Sequence, residues 1–534
     1  TQKILFLCKM YRKLMKVIFR NQSYDNRDHL NNKRLEMSGC LISDLFKTLF
    51  KRYIKTISVN LEKRQDIVVI LNKISMISLG LNHCFCTGNW GVPKSAFIRL
   101  GVSQILSRLT NPSYNSHLLR VLIPIGKEAK NTKVRQIHLS SIGFYCPSET
   151  PEGQQSGIVK NLCPYIRVTK QYNIPYIKDI ITDIEYIIFD FEMYTKIKRD
   201  QNFLILLNGS LLGFTHEPGK VVEKLSLFKK TDIFMIDVSI SVREQDKEIH
   251  IFADEGRLQR PVFSRNNLPT ISDLETKSFS ELVKTKKIIY LDSYEIENRT
   301  IAMTYDQFHQ NKIYDTLEIH PSFIVGFSVN LIPFPHHTQS PRITYHCAMG
   351  KQSISLPFTN IHQRVDTMNY ILSYPESPII QSHHAEYNHL DKLGIGNNLC
   401  VAIMMFSGYN QEDSVILNKS AIDRGLLRCF SYRTIIVEEK KKSTICTEKI
   451  EKTPIEFRNN CFNYTKVDEH GIIQVGSVVG CGDVIVCKLQ KLNNKENISW
   501  RDSSVIIKPG EEGVVDRVFL STNVEGYRII KVKI

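Results

Sequence analysis

Residues 399–425 constrain the chain more than any other stretch. The apolar run Leu399 to Phe406 reads as a buried strand. It breaks at Ser407-Gly408, a turn signal. Glu412 and Asp413 follow, and Val415, Ile416 and Leu417 resume the apolar run. The pattern predicts two acids on a short loop between two buried strands. Taken alone, adjacent acids have two readings. One is a solvated turn, since charged side chains are mostly exposed. The other is a carboxylate pair offered to a hard cation, which takes oxygen ligands, often together with substrate phosphates.

A second stretch, 143–157, packs two prolines and three glycines into fifteen residues. That forbids a helix or a central strand and leaves a rigid, turn-rich loop presenting Glu149 and Glu152. Such acids are expected to be structural, as buried carboxylates accepting backbone N–H groups.

The string Gly408-Tyr-Asn-Gln-Glu-Asp-Ser414, closed by Ser420-Ala-Ile-Asp-Arg-Gly425, resembles the acidic active-site loop of the second-largest subunit of multisubunit DNA-directed RNA polymerases. The form is that of the eukaryotic polymerase II type and its viral relatives. Cys146-Pro-Ser-Glu-Thr-Pro-Glu-Gly153 resembles the family's second hallmark. Further segments follow in the family's order: Asp25-Asn-Arg-Asp-His29 with Lys33-Arg34, Thr87-Gly-Asn-Trp-Gly91, Asp254-Glu-Gly-Arg-Leu-Gln-Arg-Pro261, and Ile332-Pro-Phe-Pro-His-His-Thr-Gln-Ser-Pro-Arg342.

At 534 residues, about three to five domains are expected. A hydrophobic content of 42% with 23% charged residues is globular. The net charge of +16 fits a polyanionic partner, or equally a lysine-rich surface that keeps the chain in solution. Thirteen cysteines are scattered without a Cys-x-x-Cys, so no zinc is expected and a reducing compartment is the simplest account. No apolar run reaches the roughly 20 residues that span a bilayer, so a membrane is not an expected partner. The start interleaves apolar with basic residues, unlike a signal peptide. Thr1 in place of Met, and a final Tyr527-Arg-Ile-Ile-Lys-Val-Lys-Ile534 that stops inside a strand-like alternation, suggest an interior piece of a longer polypeptide, inactive by itself.

The resemblance implies an α+β multidomain chain with fork and external domains, part of a double-psi β-barrel in a hybrid-binding domain, and a β-rich wall or flap. It assigns 1–77 to the end of the lobe and part of the protrusion, and 78–165 to the fork. External domains follow at 166–265 and 266–316, then the first half of the barrel at 317–428 and the wall at 429–534. Between 166 and 305, Ile184–Phe191, Phe203–Leu207 and Ile233–Ile240 read as strands, and Asn208-Gly209 as a hairpin turn. Residues 3–20 carry apolar side chains at helical spacing and are expected to pack as a helix.

The implied activity is template-directed RNA synthesis from nucleoside triphosphates, with two magnesium ions clamping the attacking and leaving oxygens. Asp413, with Glu412, is expected to serve the second, nucleotide-borne ion. The firmly held metal belongs to the largest subunit, and no Asp-x-Asp-x-Asp string occurs here. Arg342 is implied to reach the triphosphate, since a guanidinium matches phosphate in two-point contact. Tyr345, Lys351 and Gln352 match residues near the RNA 3′ end. Gln104, Arg108, His117 and Arg120 are expected beside the RNA–DNA hybrid, as donors to phosphate or sugar oxygens. Lys127 falls in the loop expected near downstream DNA. Adjacent His336 and His337 point apart on an extended segment, which disfavours a shared metal. The implied partners are the largest subunit, smaller assembly subunits, template DNA, the transcript and nucleotides. A catalytically silent nucleic-acid-binding or assembly module, or a structural scaffold, remain open as other classes of function.

Overall fold

The structure is a computed structural model. It describes the chain except residues 1, 20–23, 64–67, 69–74, 92–98, 127–130, 190–201, 232–236, 441–445, 494–497 and 524. It is mixed α and β with several separate sheets. The chain divides into two compact units, residues 1–106 with 115–348, and residues 107–114 with 349–534.

In the first unit, the helices Ser38–Glu62 and Ser75–Thr87 pack through Leu45, Leu49 and Cys84, with Trp90 closing the cluster. Gly80 permits the close crossing: a Cβ there would lie 2.7 Å from a Leu49 methyl. A four-stranded sheet runs Ser210–Thr215, Phe203–Leu207, Glu248–Phe252, Ser239–Arg243, with only the middle pair parallel. Ile177 and Ile181 of the helix Ile174–Thr182, with Val221 and Leu225 of the helix Pro218–Thr231, bury against Ile205, Ile249 and Ile251. The hairpin at Asn208-Gly209 forms as expected, both residues having positive φ (48° and 81°).

The second sheet of this unit centres on the strand Leu258–Ser264, buried along nearly its whole length. Ile288–Asp292 pairs with it, as do Arg167–Val168 at 258–259 and Thr316–Leu317 at 263–264. Pro261 falls in the gap between those last two ladders, where a missing N–H is tolerated. Arg257, just before the strand, pairs with Asp292 at 2.8 Å, and Arg260 within it pairs with Glu318.

In the second unit, four antiparallel strands run in the order Met368–Leu372, Cys429–Glu438, Arg528–Lys533, Arg517–Thr522. Their inner face, with Val437, Ile530 and Val532, joins Ile473, Ile485 and Ile507 in one core. A three-stranded sheet of Cys446–Lys449, Leu489–Asn493 and Ile498–Asp502 and two short strand pairs complete this β-rich region.

Four expectations need correction. Residues 399–417 form no strand and are exposed almost throughout, Ile403 at 99% and Met405 at 93%. An apolar run becomes a strand only where another strand takes up its backbone groups, and none does so among the described residues. Ile184–Phe191 is likewise not a strand. Its described part makes a turn and a single bridge, Ile188 to Phe214, while residues 190 and 191 lie outside the described residues, as do 233–236 of the third expected strand. The helix Gln2–Ile18 forms, but its apolar side does not pack: Ile4, Leu7, Met10, Leu14 and Ile18 are 55–65% exposed. Its lysines dock instead, Lys9 on Glu248 and Lys16 on Asp246. Finally, Pro335–His337 is a 3-10 turn, not an extended segment. The His336 and His337 rings therefore sit 4.0 Å apart rather than diverging.

Candidate functional site

The acidic loop is built by its own side chains. Asn410 staples it, its Nδ2 donating to Met404 O at 2.7 Å and its Oδ1 accepting from Phe406 N at 3.1 Å. The chain turns at Ser407 (φ 55°) and Gly408 (φ 78°), then again at Glu412 (φ 55°). Left-handed backbone costs a non-glycine residue about 1–2 kcal/mol, so two such residues this close mark a loop held in a specific shape. Glu412 and Asp413 on it are exposed. Among the described residues neither makes an ion pair, although each has an aspartate or glutamate's full capacity to accept one. No third ligand gathers there: among the described residues no group of three potential ligands could hold a metal. The donor set is two exposed carboxylates, all hard oxygen. That fits magnesium, which keeps several waters and binds through one or two carboxylates plus phosphates.

Arg342 lies in the first turn of the helix Ser340–Gly350, just after Pro341. It is exposed, with its guanidinium carbon 5.3 Å from the Tyr345 ring centroid one turn on. The buried side of this helix, Ile343 and Cys347, packs on Cys146, Val329 and Ile332. The loop 143–157 is thus the bed on which the arginine-bearing helix rests.

That loop carries Glu149, 2% exposed. Its Oε1 accepts from Ser116 Oγ at 2.6 Å and Ser328 Oγ at 2.7 Å. The carboxylate is buried as expected, and two serine hydroxyls are among its donors. Glu152 is exposed and caps nothing with its side chain, so a buried role for it does not hold. The 3-10 helix Gly153–Gln155 begins just after it, Gly153 having a φ of 73°.

Gln104, His117 and Arg120 come together. His117 Nε2 lies 3.1 Å from Gln104 Oε1, an acceptor, so that nitrogen carries the proton. Burial, and then nearby Arg120, hold the His117 pKa below its ordinary value. Burial also lowers that of Arg120, with Glu149 opposing. In the second unit, Arg108 stacks over Tyr114 (5.2 Å) and Phe358 (5.9 Å), and Arg364 covers Phe358 at 4.2 Å. Nothing in the spacing of Tyr114, Phe358 and Arg364 signals this cluster in advance. Lys351 is half-buried, its carbonyl accepting from Thr110, while Gln352 is exposed. Lys127 lies outside the described residues.

Three family models match the chain in sequence order. They are RNA polymerase Rpb2 domain 3 at residues 104–168, domain 4 at 205–266, and domain 6 at 328–534. The chain belongs to the Rpb2 family, the second-largest subunits of RNA polymerase. It is 36% identical over 526 residues to a probable DNA-directed RNA polymerase II subunit RPB2 homolog of Invertebrate iridescent virus 6, covering 96% of the chain and 44% of that relative. It is 35% identical over 570 residues to DNA-directed RNA polymerase II subunit 2 of Arabidopsis thaliana, covering 100% of the chain and 48% of the relative. It is 33% identical over 606 residues to the RPB2 subunit of Schizosaccharomyces pombe, covering 100% and 50%. The chain thus spans about half the length of the Rpb2 relatives it matches. Arg342, Glu412 and Asp413 fall inside the domain 6 match, and Glu149 inside the domain 3 match.

Proposed function

We propose that this chain supplies nucleotide-handling and hybrid-contacting residues to a DNA-directed RNA polymerase that extends RNA on a DNA template. The observation that carries the proposal is the stapled loop presenting Glu412 and Asp413 to solvent without a compensating cation among the described residues. Two carboxylates left solvated on a shaped loop serve stability poorly and an incoming cation well.

Asp413, with Glu412 beside it, would hold a magnesium ion carried in with the nucleotide. The ion, when bound, neutralises charge on the transferring and leaving phosphates. Arg342 binds the triphosphate through its fork. Tyr345 stacks under that guanidinium and limits its rotamers. Lys351 and Gln352 hold the RNA 3′ end, and Gln104, Arg108, His117 and Arg120 contact the hybrid backbone. Lys127 belongs to a loop near downstream DNA. The bare apolar run 399–417 supports a further reading: residues 317–428 give the first half of a β-barrel that other strands of the polymerase complete. The partners are a largest subunit, smaller assembly subunits, DNA, RNA and nucleotides. The compartment is the nucleus, or the host cytoplasm or virion for a viral enzyme.

The test is single-nucleotide addition on a preassembled RNA–DNA scaffold across a nucleotide titration. Loss of one positioned donor costs about 10²–10³-fold. Arg342→Ala should show a loss of that order with a raised nucleotide requirement. Arg342→Lys, which keeps the charge without the fork, should fall between it and wild type. An Arg342→Ala enzyme equal to wild type at every concentration would refute the assignment.

A further inference from the structure

Glu149 stands apart from the residues discussed so far: it is a buried carboxylate that touches none of the proposed substrates. Around it the chain is tied tightly. Ser116 Oγ and Ser328 Oγ both donate to Oε1, at 2.6 and 2.7 Å. Asn161 Nδ2 donates to Glu149 O at 2.9 Å, and Glu149 N donates to Cys146 Sγ at 3.3 Å. Gly326 approaches so closely that a Cβ there would lie 2.8 Å from Oε2 and 2.9 Å from Cys146 Cβ. One residue earlier, Ser148 O accepts from Thr344 Oγ1 at 2.6 Å. Thr344 is two residues beyond Arg342 on the same helix, and Ile343 between them packs on Cys146. The loop therefore grips the first turns of the arginine-bearing helix twice, through Ser148 directly and through Ser328 and its neighbour Val329 beneath Ile343.

We propose that Glu149 is a positioning residue for nucleotide addition, its carboxylate locking the loop on which the first turns of the Arg342 helix are seated. This rests on the reading of Arg342 as the triphosphate ligand. An acceptor-only group suits the place, because two hydroxyls converge on one oxygen. A glutamine in its place would put an N–H donor where one carboxyl oxygen stands, and could not reproduce this arrangement unchanged. Small displacements of a substrate-holding group, about 1 Å, are enough to cost large factors in rate.

The test uses the assembled polymerase carrying substitutions in this subunit, with kcat and nucleotide KM read separately. Glu149→Gln keeps the side-chain volume and should raise the nucleotide KM about threefold to tenfold, in the range of coupled neighbours. Thr344→Val, which puts a methyl in place of the hydroxyl that bonds Ser148 O and lies near Ser340 O, should shift KM the same way. In an Arg342→Ala background neither should raise KM further, because both act through the arginine. Additive rises in that background would overturn the proposal, since a general loss of structure adds where a positioning role does not. If Glu149→Gln fails to assemble, Thr344→Val decides alone, its KM matching wild type being the contrary result. The two readings separate cleanly. A flat titration for Arg342→Ala removes the triphosphate assignment, whereas a raised KM for Arg342→Ala with wild-type values for both other variants removes only the role of Glu149.

Discussion

Asp413 illustrates what a single residue can be asked to do here. It is solvated, makes no ion pair among the described residues, and sits on a loop held by Asn410 rather than by itself. Substitution of such a surface group changes stability by only about 0.5 kcal/mol. Asp413→Ala should therefore leave assembly of the subunit intact. If the side chain ligates a nucleotide-borne ion, nucleotide addition at limiting magnesium should fall about 100-fold or more, and excess magnesium should restore part of it. Unchanged elongation under limiting magnesium would remove Asp413 from the mechanism. Buried charge behaves in the opposite way. Arg260 and Glu318 form a pair sealed under Gly143, where a Cβ would lie 2.3 Å from the guanidinium, so their role is to hold the second sheet of the first unit.

At the scale of an element, the helix Gln2–Ile18 is held by charge where an apolar stripe was expected to hold it. Lys9 reaches Glu248 at 2.9 Å, and His250 lies 2.9 Å from the same carboxylate. Burial opposes ionisation of Glu248, but the bonds from His250 and Lys9 outweigh it and bring its pKa down to about 2 from an ordinary 4.5. A carboxylate depressed in the folded state stabilises above its ordinary value and stops doing so as pH falls through the folded one. Anchoring of this helix should thus be complete above about pH 4.5 and fade toward pH 2. Hydrogen exchange along residues 2–18 during acid titration measures it, and Glu248→Gln should flatten the response between those limits. A helix whose exchange is the same in both proteins across that range is held by something else.

For the molecule as a whole, the net charge of +16 sets the expected behaviour toward nucleic acid. Basic side chains displace counterions from phosphates, so affinity falls linearly in log K against log salt. The chain alone should bind single- and double-stranded nucleic acid weakly and without sequence preference, losing about 10²-fold or more when salt rises fourfold. Binding that ignores salt, or that selects one duplex sequence, contradicts this. The prediction depends on total charge and not on the arrangement of the two compact units.

What the sequence determined by itself was local and literal. Asn208-Gly209 demanded a hairpin because only residues tolerant of positive φ fit that turn, and one formed. The prolines and glycines of 143–157 argued against an α-helix or a central strand, and the stretch holds turns and the short 3-10 helix Gly153–Gln155; the string around Glu412-Asp413 was specific enough to name a family that the comparisons then showed. What only the tertiary structure decided was everything that depends on a partner far along the chain. Leu399–Phe406 has the composition of a strand but, among the described residues, no strand pairs with it. Periodicity placed apolar residues on one side of the first helix, yet Glu248 and Asp246, more than 200 residues away, chose the side that docks. Ser116 and Ser328 are unremarkable as serines until folding brings both hydroxyls to one oxygen of Glu149. Backbone preference is written into neighbouring residues, whereas burial and pairing are relations between distant ones, and those exist only once the chain has folded.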